Sequence, residues 1–473
     1  MDIEVVKKLI KKHTTGHSDI VCKSFTAERY YRNKNDILTY DRKKDEDSEN
    51  PLRNADNRIS SNFHGLLVNQ KASYMFTAPP LFDVGNKEVN KKITDLLGDN
   101  YAKACKDLCI NAANSGIAWL HYWENSDTKE FEYGVVDSKQ IIPIWSTNLN
   151  KKLLGVLRVY KDTDDDGNTY DIYEYWNDEE YQAFRKKSAD TIDLGLEFYS
   201  MNPYFVGDSS VAESTEVFKN EFGRVPFIPF ANNNLMTSDL DNVKPLIDVY
   251  DKVFSGFVND LEDIQEIIFI LTNYEGEDPK EFLSQLKKYK TVKVNDSGAG
   301  DRSGLQTLTI DIPIEAREKL LTMTRKAIFE QGQGVDPQQQ DFGNASGVAL
   351  KFLYSLLELK AGLTETEFKL GFGEFIRAIC KYLNVECKSI IQTWTRTAVT
   401  NDSELASICT SSMGLLSNLT LYKNHPFVED ADKEAEQKKK EGEEKQQDND
   451  DYKGAFPNKD GDEEGNKNDK DEQ

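Results

Sequence analysis

The hydrophobic positions of this chain change their period several times along its length. At the start, Ile3, Val5, Val6, Leu9 and Ile10 suit one face of a short helix, and a polar second helix carries AERYYRNKNDI. The charged stretch DRKKDEDSENP then predicts a loop. From Asn57 to Phe76 a helical period returns, with Ile59, Phe63, Leu66, Leu67 and Tyr74 on the face expected to be buried. Ala78, Pro79 and Pro80 end that helix, because proline offers no backbone donor and biases its predecessor toward extended backbone. Lys87 to Leu97 and Tyr101 to Asn114 predict a further helix pair. Gly116 then turns the chain into short β-branched and aromatic runs (IAWLHYW, EYGVV, QIIPIW, LLGVLRVY, YDIYEYW), which predict a small meander. The stretch from Asp178 to Val225 reads as irregular and leads into PFIPF.

Two long amphipathic tracts follow, around a compact insert. Ser238 or Asp239 is placed to cap the first, with Pro245 either in its first turn or at a bend. From Pro245 to Ile270, Leu246, Ile247, Tyr250, Phe254, Phe257, Val258, Leu261, Ile264 and Ile268 keep a helical period, which predicts roughly 39 Å of helix. Its other face carries Asp248, Asp251, Asp260, Glu262, Asp263 and Glu266 against Lys252, so that side is expected to be anionic. The insert, Thr272 to Ile312, reads as a short helix (PKEFLSQLKKY), a strand (KTVKV), a loose DSGAGDRSG loop and a strand (LQTLTI). A helix from Pro313 to Gln331 is expected to turn Ile314, Leu320, Leu321, Ala327 and Ile328 inward and to stop at Gly332 and Gly334. After VDPQQQDFGNA, Ser346 caps a tract to Leu383 of roughly 57 Å, with a kink or restart expected at Gly362, where Thr364 and Glu367 have the spacing of a new capping box. A smaller helical region spans Asp402 to Tyr422.

At 473 residues the chain has room for two to four cores. No apolar run is long enough to span a membrane, and MDIEVVKKLIKKH lacks the apolar stretch of a secretory signal. The net charge is −23; the segment from Glu429 to Gln473 holds 18 acidic and 9 basic residues, a net of −9, and is expected to be disordered. The remaining −14 is the wrong sign for a sequence-reading DNA binder, so any contact with nucleic acid must be loose. The densest basic run of the folded part, Lys287, Lys288, Lys290 and Lys293, could touch phosphates, although such runs are more often solvated faces.

Catalytic and metal signals are missing. There is no phosphate-binding P-loop, no H-E-x-x-H and no G-x-S-x-G, and His13, His17, His64, His121 and His425 are dispersed. Cys22, Cys105, Cys109, Cys380, Cys387 and Cys409 are scattered and read as free thiols; Cys105 and Cys109 share a helix face but have no nearby partners for a metal. DTDDDG, Asp162 to Gly167, imitates a calcium loop, but Tyr173 stands where the bidentate Glu belongs, so a hairpin turn is the better reading. No cofactor and no metal are expected, and the chain does not read as an enzyme.

In series, NRISSNFHGLLVNQKASYMFTAPP, RVPFIPFANNN, SDLDNVKPLIDVYDKVFSGFVNDLEDIQEIIFIL and GNASGVALKFLYSLLELKA resemble portal proteins of tailed bacteriophages, of the type found in long-tailed phages of Gram-positive hosts. The resemblance implies an α+β, mainly helical protein that joins a homo-oligomeric ring, typically of twelve copies, at one capsid vertex of the virion. Transferred to this chain, it implies an N-terminal wing (1–237), a first stem helix (238–271), a clip (272–312), a second stem helix (313–331), a tunnel loop (332–345), a long wing helix (346–384), a crown (385–428) and the acidic tail. Gly332, Gly334, Asp336, Gln338, Gln339, Gln340, Asp341 and Gly343 would form the tunnel loop, its glycines letting it shift beside double-stranded DNA in transit. The implied partners are the terminase large subunit, a head-tail adaptor protein, and the major capsid and scaffolding proteins, with assembly in the host cytoplasm and no membrane. The alternatives are another structural ring or adaptor of a head-tail junction, which the stem-clip-stem order argues against, and an enzyme hidden in the β-rich section, which no clustered acid, base or nucleophile supports.

Overall fold

The computed structural model describes residues 3–40, 55–125, 127–199, 217–263, 268–272, 304–308, 313–338, 347–396, 402–428 and 430–454. They fall into two compact units, Met1–Gln338 with Tyr354–Thr397, and Gln339–Leu353 with Ala398–Gln473.

In the first unit α1 (Ile3–Thr14) buries Val6 and Ile10, and α2 (His17–Tyr31) buries Ala27 and Tyr30. The helix expected from Asn57 begins only at Phe63, as α3 (Phe63–Met75), capped by the Asn62 side chain on the Gly65 N–H at 3.2 Å. Residues before it stay extended because their donors are taken by side chains. Asn57 N–H reaches Asn259 at 2.6 Å, Ile59 N–H reaches Ser255 at 2.9 Å and Ser61 N–H reaches Asp251 at 2.9 Å. After β1 (Leu81–Asp83), helices α4 (Lys87–Leu97) and α5 (Tyr101–Ser115) pack against a three-stranded antiparallel sheet of β2 (Ile117–Glu124), β3 (Phe131–Val136) and a later strand, β10 (Phe227–Ala231).

The five runs expected as one meander are divided between two sheets: IAWLHYW and EYGVV are β2 and β3 of the three-stranded sheet, and the other three belong to a second, larger one. β4 (Ile141–Trp145), β5 (Leu153–Thr163), β6 (Thr169–Trp176), β7 (Glu180–Lys187) and β8 (Glu197–Tyr199) run antiparallel in sequence order, and β9 (Phe218–Lys219) pairs with β7. Part of the expected irregular stretch is therefore strand, with Tyr181, Ala183 and Phe184 buried at its centre. DTDDDG is the β5–β6 hairpin turn, with Gly167 at φ +83° and the Asp164 carboxylate accepting the Asn168 N–H at 2.7 Å. β10 (Phe227–Ala231) places Phe230 fully inside the largest core, with Phe368, Phe372 and Phe375.

Helix α6 (Lys244–Asp263) has Pro245 in its first turn; Ser238 and Asp239 lie in the preceding turn, not at its cap. The expected continuation to Ile270 does not occur. Ile268–Thr272 is strand β11, paired antiparallel with β12 (Gly304–Leu308), so the β-branched and aromatic run IFILT follows strand preference over helical spacing. Helix α7 (Ile314–Gly332) returns alongside α6 and turns Ile328 and Phe329 inward, whereas Ile314 and Leu320 are exposed. Helix α8 (Gly347–Tyr382) is one unbroken 36-residue element. No restart occurs at Gly362, because Thr364 is buried and its hydroxyl bonds the carbonyls of Asn232 at 3.0 Å and Lys360 at 3.2 Å, leaving it unable to cap. The expected crown segment is divided: β13 (Ile391–Thr393) pairs with β1 in the first unit.

In the second unit, α9 (Asp402–Ser411) and α10 (Asn418–Asn424) bury Cys409 and Leu421. The tail expected to be disordered carries a helix, α11 (Ala431–Gly454). Its Glu, Lys, Gln and Ala are strong helix formers, and those preferences act without any apolar face to bury.

Candidate functional site

The antiparallel pair α6–α7 and the chain that leaves α7 hold most of the residues singled out by the sequence. The pair is closed by Ile247, Ile328 and Phe329 together with Phe63 and Leu67 of α3. Phe63 meets Tyr250 edge-on at 4.9 Å between centroids, and Phe329 at 6.0 Å.

The acidic side of α6 is not a bare anionic surface. Asp251 is fully buried and accepts from Asn35 Nδ2 at 2.6 Å and from the Ser61 N–H. Burial pushes its carboxyl up from the usual range. Asp248 accepts from the Tyr30 hydroxyl and from Lys244 Nζ at 2.8 Å, and Lys244 also reaches Asp36 at 2.6 Å. Asp260 is paired with the Arg317 guanidinium of α7, which also lies 5.6 Å over the Phe257 ring. Glu262 accepts from Asn57 Nδ2 at 2.5 Å. These four carboxylates therefore tie α6 to its own protomer, three of them to the N-terminal segment and one to α7. The side chain of Asp263 and all of Glu266 lie outside the described residues, as do Lys287, Lys288, Lys290 and Lys293.

The chain leaving α7 is fixed by bonds that its sequence hides. Gln333, at φ +53°, occupies the left-handed position where glycine is usual. Its N–H donates to Glu330 O at 3.3 Å and that of Gly334 to Phe329 O at 3.0 Å, a Schellman closure. Gly332 and Gly334 are glycines for space, not for freedom. A Cβ on either would lie 2.5 or 2.3 Å from a Leu67 methyl. Gln70 of α3 brackets the next residue, donating to Val335 O at 2.7 Å and accepting from its N–H at 3.0 Å. Asp336 takes a two-pronged contact from Arg325, 3.0 Å to Nε and 2.7 Å to Nη2, and accepts from the Gln338 N–H at 3.0 Å. Partial burial works against its charge, but Arg325 holds the carboxyl below the ordinary range. Gln338 is exposed, and Gln339, Gln340, Asp341 and Gly343 lie outside the described residues.

Beneath this segment lies a buried ion cluster. Asp239 is within 3.0 Å of Lys360 Nζ from α8 and 3.3 Å of Lys71 Nζ from α3, and accepts from Asn232 Nδ2 at 2.8 Å. Burial opposes the Asp239 charge, yet Lys360 and Lys71 hold its carboxyl far below the ordinary range. Burial lowers the Lys360 ammonium, whose remaining proton contact is the Gly332 carbonyl at 2.9 Å. One lysine thus joins the long helix to the last residue of α7. His64 sits nearby, its Nε2 2.9 Å from Asn114 Oδ1, and burial lowers it to about 4. The sequence offered one clue to this cluster, Lys71 and Lys360 at inward-facing positions of helices α3 and α8.

Nothing in this arrangement aligns a nucleophile with a base, and its charges are spent on joining elements. The family described as phage portal protein, SPP1 Gp6-like, matches residues 10–448. A curated portal protein of Clostridium phage phiCD119 is 43% identical over 448 residues, covering 91% of this chain and 94% of the relative. A portal protein of Bacillus phage SPP1 is 29% identical over 450 residues, covering 92% and 85%. Among solved structures, a chain from the neck of an empty gene transfer agent particle computed with C6 symmetry aligns with a TM-score of 0.44 at 13% identity, covering 81% of this chain and 92% of that one. A chain from the virion of a native gene transfer agent particle aligns with a TM-score of 0.42 at 14% identity, covering 76% and 88%. The chain therefore belongs to the SPP1 Gp6-like family of phage portal proteins, structural and non-enzymatic components of the virion that assemble as oligomeric rings in the phage head.

Proposed function

We propose that copies of this chain, typically twelve, form the channel at one capsid vertex through which double-stranded DNA is packaged and later ejected. In this reading α6 and α7 are the stem, residues 272–312 the clip that docks the terminase large subunit and the head-tail adaptor, and 332–345 the tunnel loop. Residues 1–237 and 346–384 form the wing, in contact with the major capsid and scaffolding proteins, 385–428 form the crown, and the ring assembles in the host cytoplasm.

The observation that carries the reading is the antiparallel α6–α7 pair, entered and left through the paired strands β11 and β12 of the insert, in a chain matched to the portal family over nearly its whole length. DNA in transit is passed along without sequence preference, so tight phosphate contacts would act as friction, each adding salt-dependent affinity. Asp336 is already occupied by Arg325. The contact with the duplex falls instead to the polar stretch from Gln338 onward, held at a fixed root. Replacing Gln338, Gln339 and Gln340 together by lysine should slow or stall packaging in a defined packaging assay, and more strongly at low salt. Packaging at the original rate in low salt would remove this segment from the channel. Purified protein that stays monomeric in native mass spectrometry, with no ring bearing a central hole in negative stain, would overturn the channel itself.

A further inference from the structure

Two apolar strips of the α6–α7 pair have no cover among the described residues. On α6, the arc holding Ile247 and Tyr250 packs with α7 and α3, and Asp248, Asp251, Ser255 and Asn259 bond the N-terminal segment. The remaining arc carries Val249, Val253 and Gly256 at i, i+4 and i+7, with Val249 45% exposed, and ends at Asp260, which is paired with Arg317 of α7. On α7, the arc holding Arg325, Phe329 and Gly332 faces α3, and Arg317 and Ile328 face α6. The arc turned away carries Ala316, Leu320, Met323 and Ala327 at i, i+4, i+7 and i+11, with Leu320 43% and Met323 61% exposed.

The strips share the alternating four- and three-residue spacing of helix seams but differ in relief. The α6 strip is a trough: a Cβ built on Gly256 would find no atom within 4 Å. The α7 strip is a ridge, with two long side chains standing at its centre. A closed ring needs two different surfaces on each copy that fit each other, since neighbours meet head to tail.

We propose that the Leu320–Met323 ridge of one copy seats in the Val249–Val253–Gly256 trough of the next, forming the seam that closes the ring. Gly256 is then a residue of assembly. Within the protomer its missing side chain gives nothing, and glycine inside a helix carries a known penalty. Between copies it lets the methionine approach the α6 backbone.

The inference rests on the ring reading and can fail separately from it. The full-length chain is purified, and its ring fraction read by native mass spectrometry at one protein concentration, beside circular dichroism and a melting curve. Gly256→Leu should fold with an unchanged or raised melting temperature and lose ring formation by about tenfold or more, because overpacking of the seam recurs at every junction. Met323→Glu should lose rings similarly. The double variant Gly256→Leu with Met323→Ala, which shortens the ridge where the trough is filled, should recover a large part of them. Rings at the original fraction in Gly256→Leu would overturn the seam and leave the ring reading intact. A recovery that fails in the double variant, with the fold preserved, would also overturn it. Unmodified protein that forms no rings would overturn the ring reading and the seam with it.

Discussion

Two ion clusters in this protein are both built from basic side chains and aspartates and sit in opposite surroundings. Lys71, Asp239 and Lys360 are all buried, with the lysine side chains at 1% and 10% exposure. Arg29, Asp36, Lys244 and Asp248 form a chain of contacts between α2 and the start of α6, at 29–43% exposure. In the buried cluster each charge depends on its neighbours, because removing water makes an unpaired ion very costly. In the exposed one, water and salt stand in for any partner that is lost. Similar bonds on paper thus fix the root below Gly332 firmly and the outer side of α6 only weakly.

The largest test of that contrast is Asp239→Ala. It strands two buried ammonium groups and should cost about 3–5 kcal/mol in equilibrium denaturation; a cost below about 1 kcal/mol would mean that water reaches the cluster. Acid is the next lever. His64, beside the buried cluster, is held near 4, and His121 is held near 3 by burial between Phe227, Trp123 and Trp176, with Nδ1 2.7 Å from Pro226 O. Both folded values lie below the unfolded value of 6.5, so the unfolded chain takes up protons first. Their contribution is complete above pH 6.5 and is lost as pH falls toward 4 and 3, at up to roughly 1.4 kcal/mol per unit for each histidine. Melting from pH 7 to 5 should show this loss, and His64→Gln should remove about half of it. The exposed cluster contains no histidine. Asp36 is held below its ordinary value by Lys244 and Arg29 against the pull of partial burial, so its contribution is present above about pH 3.8 and fades only below that.

Smaller effects refine the comparison. Gln333→Gly relieves a left-handed residue at the end of α7 and should stabilise by about 1 kcal/mol in thermal melts, sharpening the view that this root is built to be rigid. A loss instead would mean that the Gln333 side chain contributes more than its backbone strain costs. Lys244→Met removes the hub of the exposed cluster and should change stability by less than about 1 kcal/mol, with the difference shrinking in high salt. A loss as large as that of Asp239→Ala would erase the distinction between the two regions.

Much of the fold is legible in the sequence where one signal acts alone. The hydrophobic face of α3, the α4–α5 pair, the short strands and the hairpin at DTDDDG follow from local period and turn chemistry. The errors lie where two signals compete. In IFILT the helical spacing of the preceding tract meets β-branched residues, and pairing with β12 decides for strand. Asn57 to Ser61 read as helix until their N–H groups find Asn259, Ser255 and Asp251. Gly332 and Gly334 read as loosening the chain, yet they admit Leu67. The acids of α6 read as one anionic side, yet Asp251 is interior and Asp248, Asp260 and Glu262 are bonded within the protomer.

The sequence by itself determined the order of parts, the lack of catalytic and metal signatures, and the resemblance that named the family, because these depend on residue type and spacing along one chain. Only the tertiary structure decided what each charge and each glycine is for. A carboxylate has the same letter whether it faces water, an arginine or a buried lysine, and the partner can come from a segment more than a hundred residues away, as Lys71 does for Asp239.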